Sequence, residues 1–350
     1  MRLFITGGCG YVGSHCARRL RQAGHELLVY DNLSTGHRQA VAPEELRVGD
    51  LGDRYALRAA MSEFSPDAVM HFAASLTVAE SVMFPLRYYR NNVVNTVNLL
   101  EAMEDLAIGK LVFSSSCTVY GVPPSVPITE DMPTNPISPY GRTKRMMEQA
   151  LSDCADSWGL GFASLRYFNA AGASADGSIG EDHVPEIHLI PVVLEAALGK
   201  RAHVRIFGTD YDTPDGTCVR DYVHVDDLAE AHLAALGALD PGRQILVNLG
   251  TGRGYSVREV VETAERVTGR EISVVEGHRR PGDGAMLYAD ASMARTMLNW
   301  RAKITDLAEI IDSAWQWHRH HPNGFDAENA CAVLSGSASS VRQQLLPGIL

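Results

Sequence analysis

A chain of 350 residues has room for about two domains of ordinary size, and its 45% hydrophobic and 21% charged residues exclude disordered and fibrous classes. The 31 lysines and arginines against 42 acids leave a formal charge of −11. Neither nucleic acid nor an anionic membrane is therefore an expected partner, and an anionic ligand must meet locally placed cations.

From Arg2 to Thr6, Glu26 to Tyr30, Leu46 to Val48, Ala68 to Phe72, Lys110 to Phe113 and Ala163 to Tyr167, short runs rich in aliphatic and β-branched residues read as strands. Helix-period stretches lie between them, from Tyr11 to Ala23, Arg54 to Glu63, Val93 to Asp105 and Tyr140 to Ser157. Near-continuous apolar strands alternating with helices predict an α/β fold built on a doubly wound parallel, Rossmann-type sheet. Beyond Gly172 the rhythm breaks in a Gly/Asp/Ser-rich stretch. The expected division is a cofactor domain over 1–172, to which some later segments return, a smaller α/β substrate domain over 173–322, and a loosely attached tail over 323–350. Ser256 followed by Glu259 is a capping-box pattern that starts a helix in the second part. The cysteines at 9, 16, 117, 154, 218 and 331 show no C-x-x-C spacing, so the expectation is a reducing cytoplasm with neither disulfides nor a zinc site. Gly7, Gly8, Gly10 and Gly13 interrupt the apolar start, and no run nears the ~18 apolar residues of a membrane helix.

Thr6-Gly-Gly-Cys-Gly-Tyr-Val-Gly13 follows the first strand and opens the first helix. That is the context in which Gly8, Gly10 and Gly13 let a pyrophosphate approach backbone N–H groups and the positive helix end. Asp31 closes the second strand 18 residues after Gly13, near the spacing of the acid that binds adenosine ribose hydroxyls and repels a 2′-phosphate. NAD is the expected cofactor, with Arg38 keeping NADP open. Asp50 and Leu51, after the third strand, are candidates for the adenine end.

Ser138-Pro-Tyr140-Gly-Arg-Thr-Lys144 reads as an N-cap serine, a first-turn proline and a helix that puts Tyr140 and Lys144 on one face. A tyrosine with a pKa of about 10 is a poor base at neutral pH. A neighbouring ammonium, the helix N-terminus and a positive nicotinamide ring are expected to lower it. Ser114-Ser-Ser-Cys-Thr118 follows a buried strand at the sheet's carboxyl edge, where ligands bind in such folds.

These motifs, with Phe72 to Ala74, Tyr88 to Asn92, Phe113 to Gly121, Arg166 to Gly172 and Gly208 to Asp227, resemble the extended short-chain dehydrogenase/reductases, and within them the UDP-hexose 4-epimerase branch. The resemblance spans about residues 1 to 320, and Ile206 to Val225 is its most specific segment. It implies that Tyr140 takes the proton of the sugar 4-hydroxyl while C4 gives hydride to NAD, and that the 4-keto sugar turns over and is reduced on its other face. Lys144 is implied to bind the nicotinamide ribose and Ser116 to hydrogen-bond the reacting oxygen. Lining the dinucleotide, by the same resemblance, are Gly7, Gly10, Tyr11, Val12, Gly13, Asp31, Asn32, Asp50, Leu51, Phe72, Ala73, Ala74, Asn91, Ser114, Tyr140, Lys144, Tyr167 and Phe168.

For a UDP-hexose the implied contacts are Ser116, Tyr140, Asn169, His188, Leu189, Phe207, Arg220, Arg280, Asp283 and Leu287, the arginines holding the diphosphate. Three positions vary within the branch: Leu76 replaces a lysine, His188 an asparagine, and Leu287 stands where a tyrosine or a smaller residue sets the space at the sugar 2-position. Surface salt bridging remains an alternative for Arg220 and Arg280, as does core packing for Leu287. A homodimer is implied, with contacts from Val93 to Leu106 and Met146 to Trp158, although Leu99, Leu100 and Met103 read equally as core. His318, His320 and His321 read as a solvated helix end, and no metal is expected. The sugar itself stays open, a related epimerase of UDP-N-acetylglucosamine, a UDP-pentose or a UDP-uronate being the alternative, and so do two other functions. A 4,6-dehydratase needs an acid pair where Cys117 and Thr118 stand, and a redox sensor that only binds NAD has no use for Tyr140.

Overall fold

The structure, a computed structural model, describes residues 1–280 and 283–325; the expectation for the tail falls almost entirely outside them. The strands are β1 (Arg2–Thr6), β2 (Glu26–Asp31), β3 (Leu46–Val48), β4 (Ala68–His71), β5 (Lys110–Ser116), β6 (Gly161–Tyr167), β7 (Asn169–Ala171), β8 (Val204–Phe207), β9 (Val219–Arg220), β10 (Tyr222–His224), β11 (Gln244–Leu249), β12 (Tyr255–Ser256), β13 (Val274–Gly277) and β14 (Met286–Leu287). The helices are α1 (Tyr11–Gln22), α2 (Arg54–Phe64), α3 (Val78–Met83), α4 (Pro85–Tyr88), α5 (Asn95–Asp105), α6 (Pro139–Trp158), α7 (Leu189–Ala197), α8 (Val225–Gly237), α9 (Val257–Thr268), α10 (Ser292–Leu298) and α11 (Leu307–His320).

Seven parallel strands form the main sheet in the order β3-β2-β1-β4-β5-β6-β11. Their residues are apolar on both faces because helices cover both. Ala17 and Leu20 of α1 with Leu228, Ala231 and Ala235 of α8 close one side. Leu57 and Met61 of α2, Leu99 and Met103 of α5, and Met147 and Leu151 of α6 close the other. A separate core joins α7, α9 and α11 through Val193, Leu194, Val260, Val261, Ile310 and Ile311.

Local signals decide several boundaries. Ser138 caps α6 by accepting the Gly141 N–H at 3.1 Å, and Ser256 with Glu259 forms the capping box of α9. The fifth strand runs three residues past the expected Phe113, because Ser114, Ser115 and Ser116 pair with Leu165, Arg166 and Tyr167 of β6. The helix expected over Val93 to Asp105 starts instead as a π-helical turn, Tyr89–Val94. Leu99, Leu100 and Met103 lie in the core and not on an outer face. The histidines at the end of α11 are not all solvated: His321 stacks on buried Trp317 at 3.8 Å, and His318 is half-buried. Among the described residues no helix is long and apolar enough to cross a membrane.

Candidate functional site

The order of the sheet reverses at β1, with β2 on one side and β4 on the other, and such a switch point opens a crevice at the carboxyl ends of the strands. Thr6 runs from β1 into this crevice through Gly7, whose φ is +70° and whose added Cβ would stand 2.4 Å from the Ala73 nitrogen. No side chain is possible there, so the glycine loop packs directly on the backbone of Phe72 and Ala73. Gly10 differs: a Cβ would meet only the Gly7 carbonyl oxygen, at 3.4 Å, and Gly10 caps α1 without a side-chain hydrogen bond. Its bareness keeps the start of α1, at Tyr11, Val12 and Gly13, open to an anion, the arrangement that suits the pyrophosphate of a dinucleotide.

Asp31, 8% exposed, accepts the Cys9 N–H at 2.9 Å and the Leu33 N–H at 2.8 Å. Burial raises its pKa and those two bonds pull it back, so the carboxylate is fixed beside the glycine loop. Asn32 donates to Asp50 at 2.8 Å, and Leu51 is buried next to them. Asp50 also borders a surface hollow of about 700 Å³ shared with Arg87, Arg90 and Asn91. Asn91 donates to Ser75, one residue beyond Ala74. Tyr11 turns its hydroxyl to the Gly172 carbonyl at 2.6 Å.

At the end of β5, Ser116 and the first turn of α6 meet. The Tyr140 phenol lies beside Ser116, which favours its charged form and whose hydroxyl oxygen accepts from the Thr118 hydroxyl at 3.0 Å. The Lys144 ammonium donates to the Ser114 carbonyl at 2.6 Å and lies 5.9 Å from the centre of the Tyr140 ring. Tyr167 closes the group by hydrogen-bonding the Ser114 hydroxyl, and Phe168 is buried beside it. Burial outweighs the effect of Ser116 and pushes Tyr140 up to about 12. Lys144, buried also, falls to about 7, its loss partly offset by Glu148. The ammonium is too desolvated to favour the phenolate by itself.

The remaining candidates flank this pair. Asn169 opens β7, and its N–H donates to the Asp221 carbonyl at 3.0 Å. Arg220 on β9 stands opposite Leu287 on β14 and donates to the Gly284 carbonyl at 2.9 Å, with Asp283 at 3.7 Å. The same arginine acts on the Cys117 thiol, which burial raises to about 12 and Arg220 lowers, so it lies within electrostatic reach of the Ser116 end of β5. Arg280 lies 3.7 Å over the Phe207 ring. Leu287 is half-buried against Val119, Tyr120 and Phe168. His188 and Leu189 begin α7, where the His188 ring sits against Glu181 and Glu186 at 2.7 and 3.3 Å.

Two groups escaped the sequence reading. Glu148, fully buried, binds Arg166 through two oxygens at 2.8 Å and accepts from Ser115 at 2.8 Å and Ser164 at 3.0 Å. Its signal was available: Tyr140, Lys144 and Glu148 recur every four residues on one helix face. The other group is Glu181, His183, Glu186 and His188, whose ligand atoms lie within 4.8 Å of one another. Burial would lower both rings, but the two carboxylates overcome it, raising His183 to about 9 and His188 to about 10.

The chain is similar to known proteins over most of its length. The UDP-glucose 4-epimerase of Lactobacillus helveticus is 48% identical over 328 residues, covering 93% of this chain and 99% of the relative. The solved UDP-glucose 4-epimerase from Brucella ovis in complex with NAD superposes with a TM-score of 0.86 at 47% identity, covering 90% of this chain and 97% of that one. The UDP-Glc/GlcNAc 4-epimerase from Campylobacter jejuni does so at 0.80 and 42%, covering 91% and 99%. The model of the NAD dependent epimerase/dehydratase family matches residues 3–250, which hold the glycine cradle, Asp31 and the Ser116, Tyr140 and Lys144 group, and the chain belongs to that family.

Proposed function

We propose that this chain catalyses the 4-epimerisation of UDP-hexoses, interconverting UDP-glucose and UDP-galactose. The observation that carries the reading is the convergence of Ser116, Tyr140 and Lys144 at one strand end beside a glycine cradle. Gly7 to Gly13, Asp31, Phe72 to Ala74 and Asn91 hold NAD, which accepts a hydride from the sugar and returns it.

Tyr140 takes the proton of the 4-hydroxyl as C4 is oxidised to the ketone, and gives it back when the ketone is reduced on its opposite face. The side chains of the protein leave the phenol protonated at neutral pH, so its role as a base depends on positive charge arriving with the cofactor. Ser116 orients the reacting oxygen, and Lys144 anchors the nicotinamide ribose from the β5 side. Arg220 and Arg280 hold the diphosphate, a role suited to forked donors in a net-acidic protein. Phe207 stacks beneath Arg280 at the uracil end, Asp283 binds the uridine ribose, and Asn169, His188 and Leu189 border the sugar. A 4,6-dehydratase lacks its acid pair here, since the corresponding positions hold a buried thiol at Cys117 and Thr118.

The enzyme works as a homodimer in the cytoplasm. Val94, at the end of the π-helical turn, Val97 of α5 and Met146 of α6 leave exposed apolar surface, and light scattering is expected at twice the chain mass. The free thiols of Cys9, Cys16, Cys117, Cys154 and Cys218 suit a reducing compartment. The decisive experiment is conversion of UDP-galactose to UDP-glucose by purified protein with no cofactor added. Turnover is expected, with bound NAD released on denaturation and a loss of at least ~10²-fold in Tyr140→Phe. Dependence on added NAD, or a Tyr140→Phe protein of normal rate, contradicts the reading.

A further inference from the structure

Between β7 and α7 the chain reads Glu181-Asp-His183-Val-Pro-Glu186-Ile-His188, and the fold turns the four chemistry-bearing side chains inward. The Glu181 and Glu186 side chains are 5% and 4% exposed, His183 16% and His188 35%. Two carboxylates this deeply buried need positive charge close at hand.

Geometry distinguishes a metal site from a set of ion pairs. His183 Nδ1 lies 3.3 Å from Glu181 Oε1 and 3.6 Å from Glu186 Oε2, and His188 Nδ1 lies 2.7 and 3.3 Å from Glu181 Oε1 and Glu186 Oε1. Both Nδ1 atoms are shielded from water, yet neither makes a hydrogen bond. The oxygens are near enough, but they lie off the direction in which a ring N–H points. The four ligand atoms all lie within 4.8 Å of one another. Zinc bonds to nitrogen and oxygen of about 2.0–2.2 Å set neighbouring donors of a tetrahedron about 3.3 Å apart, close to the spacings found here. Glu186 Oε1 already accepts the N–H groups of Ile187 and His188 at 2.8 and 2.9 Å. Those bonds orient the carboxylate and leave Oε2 available.

We propose that Glu181, His183, Glu186 and His188 form a zinc site. Two imidazoles with two carboxylates are the donors of a zinc-class ion, whereas calcium and magnesium take six or more oxygens. Four protein donors close the tetrahedron, which makes the site structural. Its effect is local: it fixes Glu181 to His188 at the entrance to α7 and holds the His188 ring by one nitrogen. The absence of a metal expected from the sequence rested on cysteine spacing and on the histidines ending α11, and it overlooked this segment, which packs against that helix end: Trp317 donates to the Glu181 carbonyl at 3.2 Å, and Glu181 and Glu186 act on the His318 ring.

The test uses untagged, full-length protein freed of metal with a chelator, incubated with excess zinc and gel-filtered before elemental analysis. One zinc per chain is expected, and cobalt in its place should give the intense visible absorption of a tetrahedral ion. His183→Gln should lose the metal while keeping its bound NAD, which shows that it is folded. His320→Gln should keep the metal. Wild-type protein that retains no zinc, or that gives only the weak spectrum of octahedral cobalt, overturns the site even if a variant fails to fold. Zinc retained in His183→Gln, or lost only in His320→Gln, marks an adventitious surface ion and overturns it equally.

Discussion

In the proposed function Asp31 sets which dinucleotide the crevice accepts, because its carboxylate is held by the N–H groups of Cys9 and Leu33 and would meet a 2′-phosphate. Like charges brought together in this way cost several kcal/mol. Asp31→Ala is expected to narrow the preference for NAD over NADP by at least roughly tenfold, measured as the ratio of dissociation constants. Wild-type protein that binds the two equally removes Asp31 from this role. The same scale shows burial acting against a charge pair. A lysine four residues from a tyrosine suggests a lowered phenol pKa, yet Tyr140 rises to about 12 and Lys144 falls to about 7 because both are buried. Spacing reveals that two groups are neighbours. It does not reveal how much water they have lost.

Helix α6 carries the candidate chemistry on one face and anchors it one turn further on. Removing Glu148 leaves the Arg166 guanidinium uncompensated among buried groups, and breaking a buried pair from one side costs about 3–5 kcal/mol. Glu148→Ala should therefore lower unfolding stability by that amount in urea titrations; a loss below about 1 kcal/mol denies the pair its anchoring role. On β14, Leu287 pairs with Arg220 across the strands and packs half-buried against the cluster that holds Phe168. Measurable epimerisation of UDP-N-acetylglucosamine beside UDP-glucose is expected, and Leu287→Tyr should suppress the N-acetylated reaction selectively by overpacking. The check is kcat/KM for both sugars in both proteins, and equal loss for the two removes Leu287 as the gate. What was legible in the sequence at this scale was local: the glycine turn, the Ser138 cap, the Ser256 capping box. Ser114 to Ser116 looked like a loop because serines favour loops; pairing with β6 makes them a strand, and Tyr167 and Glu148 satisfy the buried hydroxyls of Ser114 and Ser115. Arg166 and Glu148 are 18 residues apart, and nothing local joins them.

Across the whole molecule, acid is the weak flank. Burial lowers His71 to about 3, with Lys144 adding to the effect, and lowers His224 and His232 to about 4. Each ring is held neutral in the fold, for His71 between the hydroxyls of Thr6 and Thr96 at 2.6 and 2.9 Å. Below a pH of about 6.5 the unfolded chain binds protons that the folded one refuses, so stability present at neutral pH is lost as the pH falls toward 4. At pH 5 the cost is about 2 kcal/mol for each histidine. The urea midpoint should drop sharply between pH 7 and 5, and His232→Gln should flatten that slope; identical midpoints at the two pH values contradict the assignment.

The position of β11 at the edge of the main sheet has a consequence for synthesis on the ribosome. β6 emerges with one side unpaired, and its partner follows only after Asn169 to Arg243 have been made, on the order of five to fifteen seconds at cellular translation rates. Throughout that interval the nascent chain displays an open row of backbone donors and acceptors beside apolar side chains. A pause in translation over residues 168–243 therefore raises the risk of aggregation more than an equal pause after Leu249, and a chaperone that shields strand edges acts most usefully within that window.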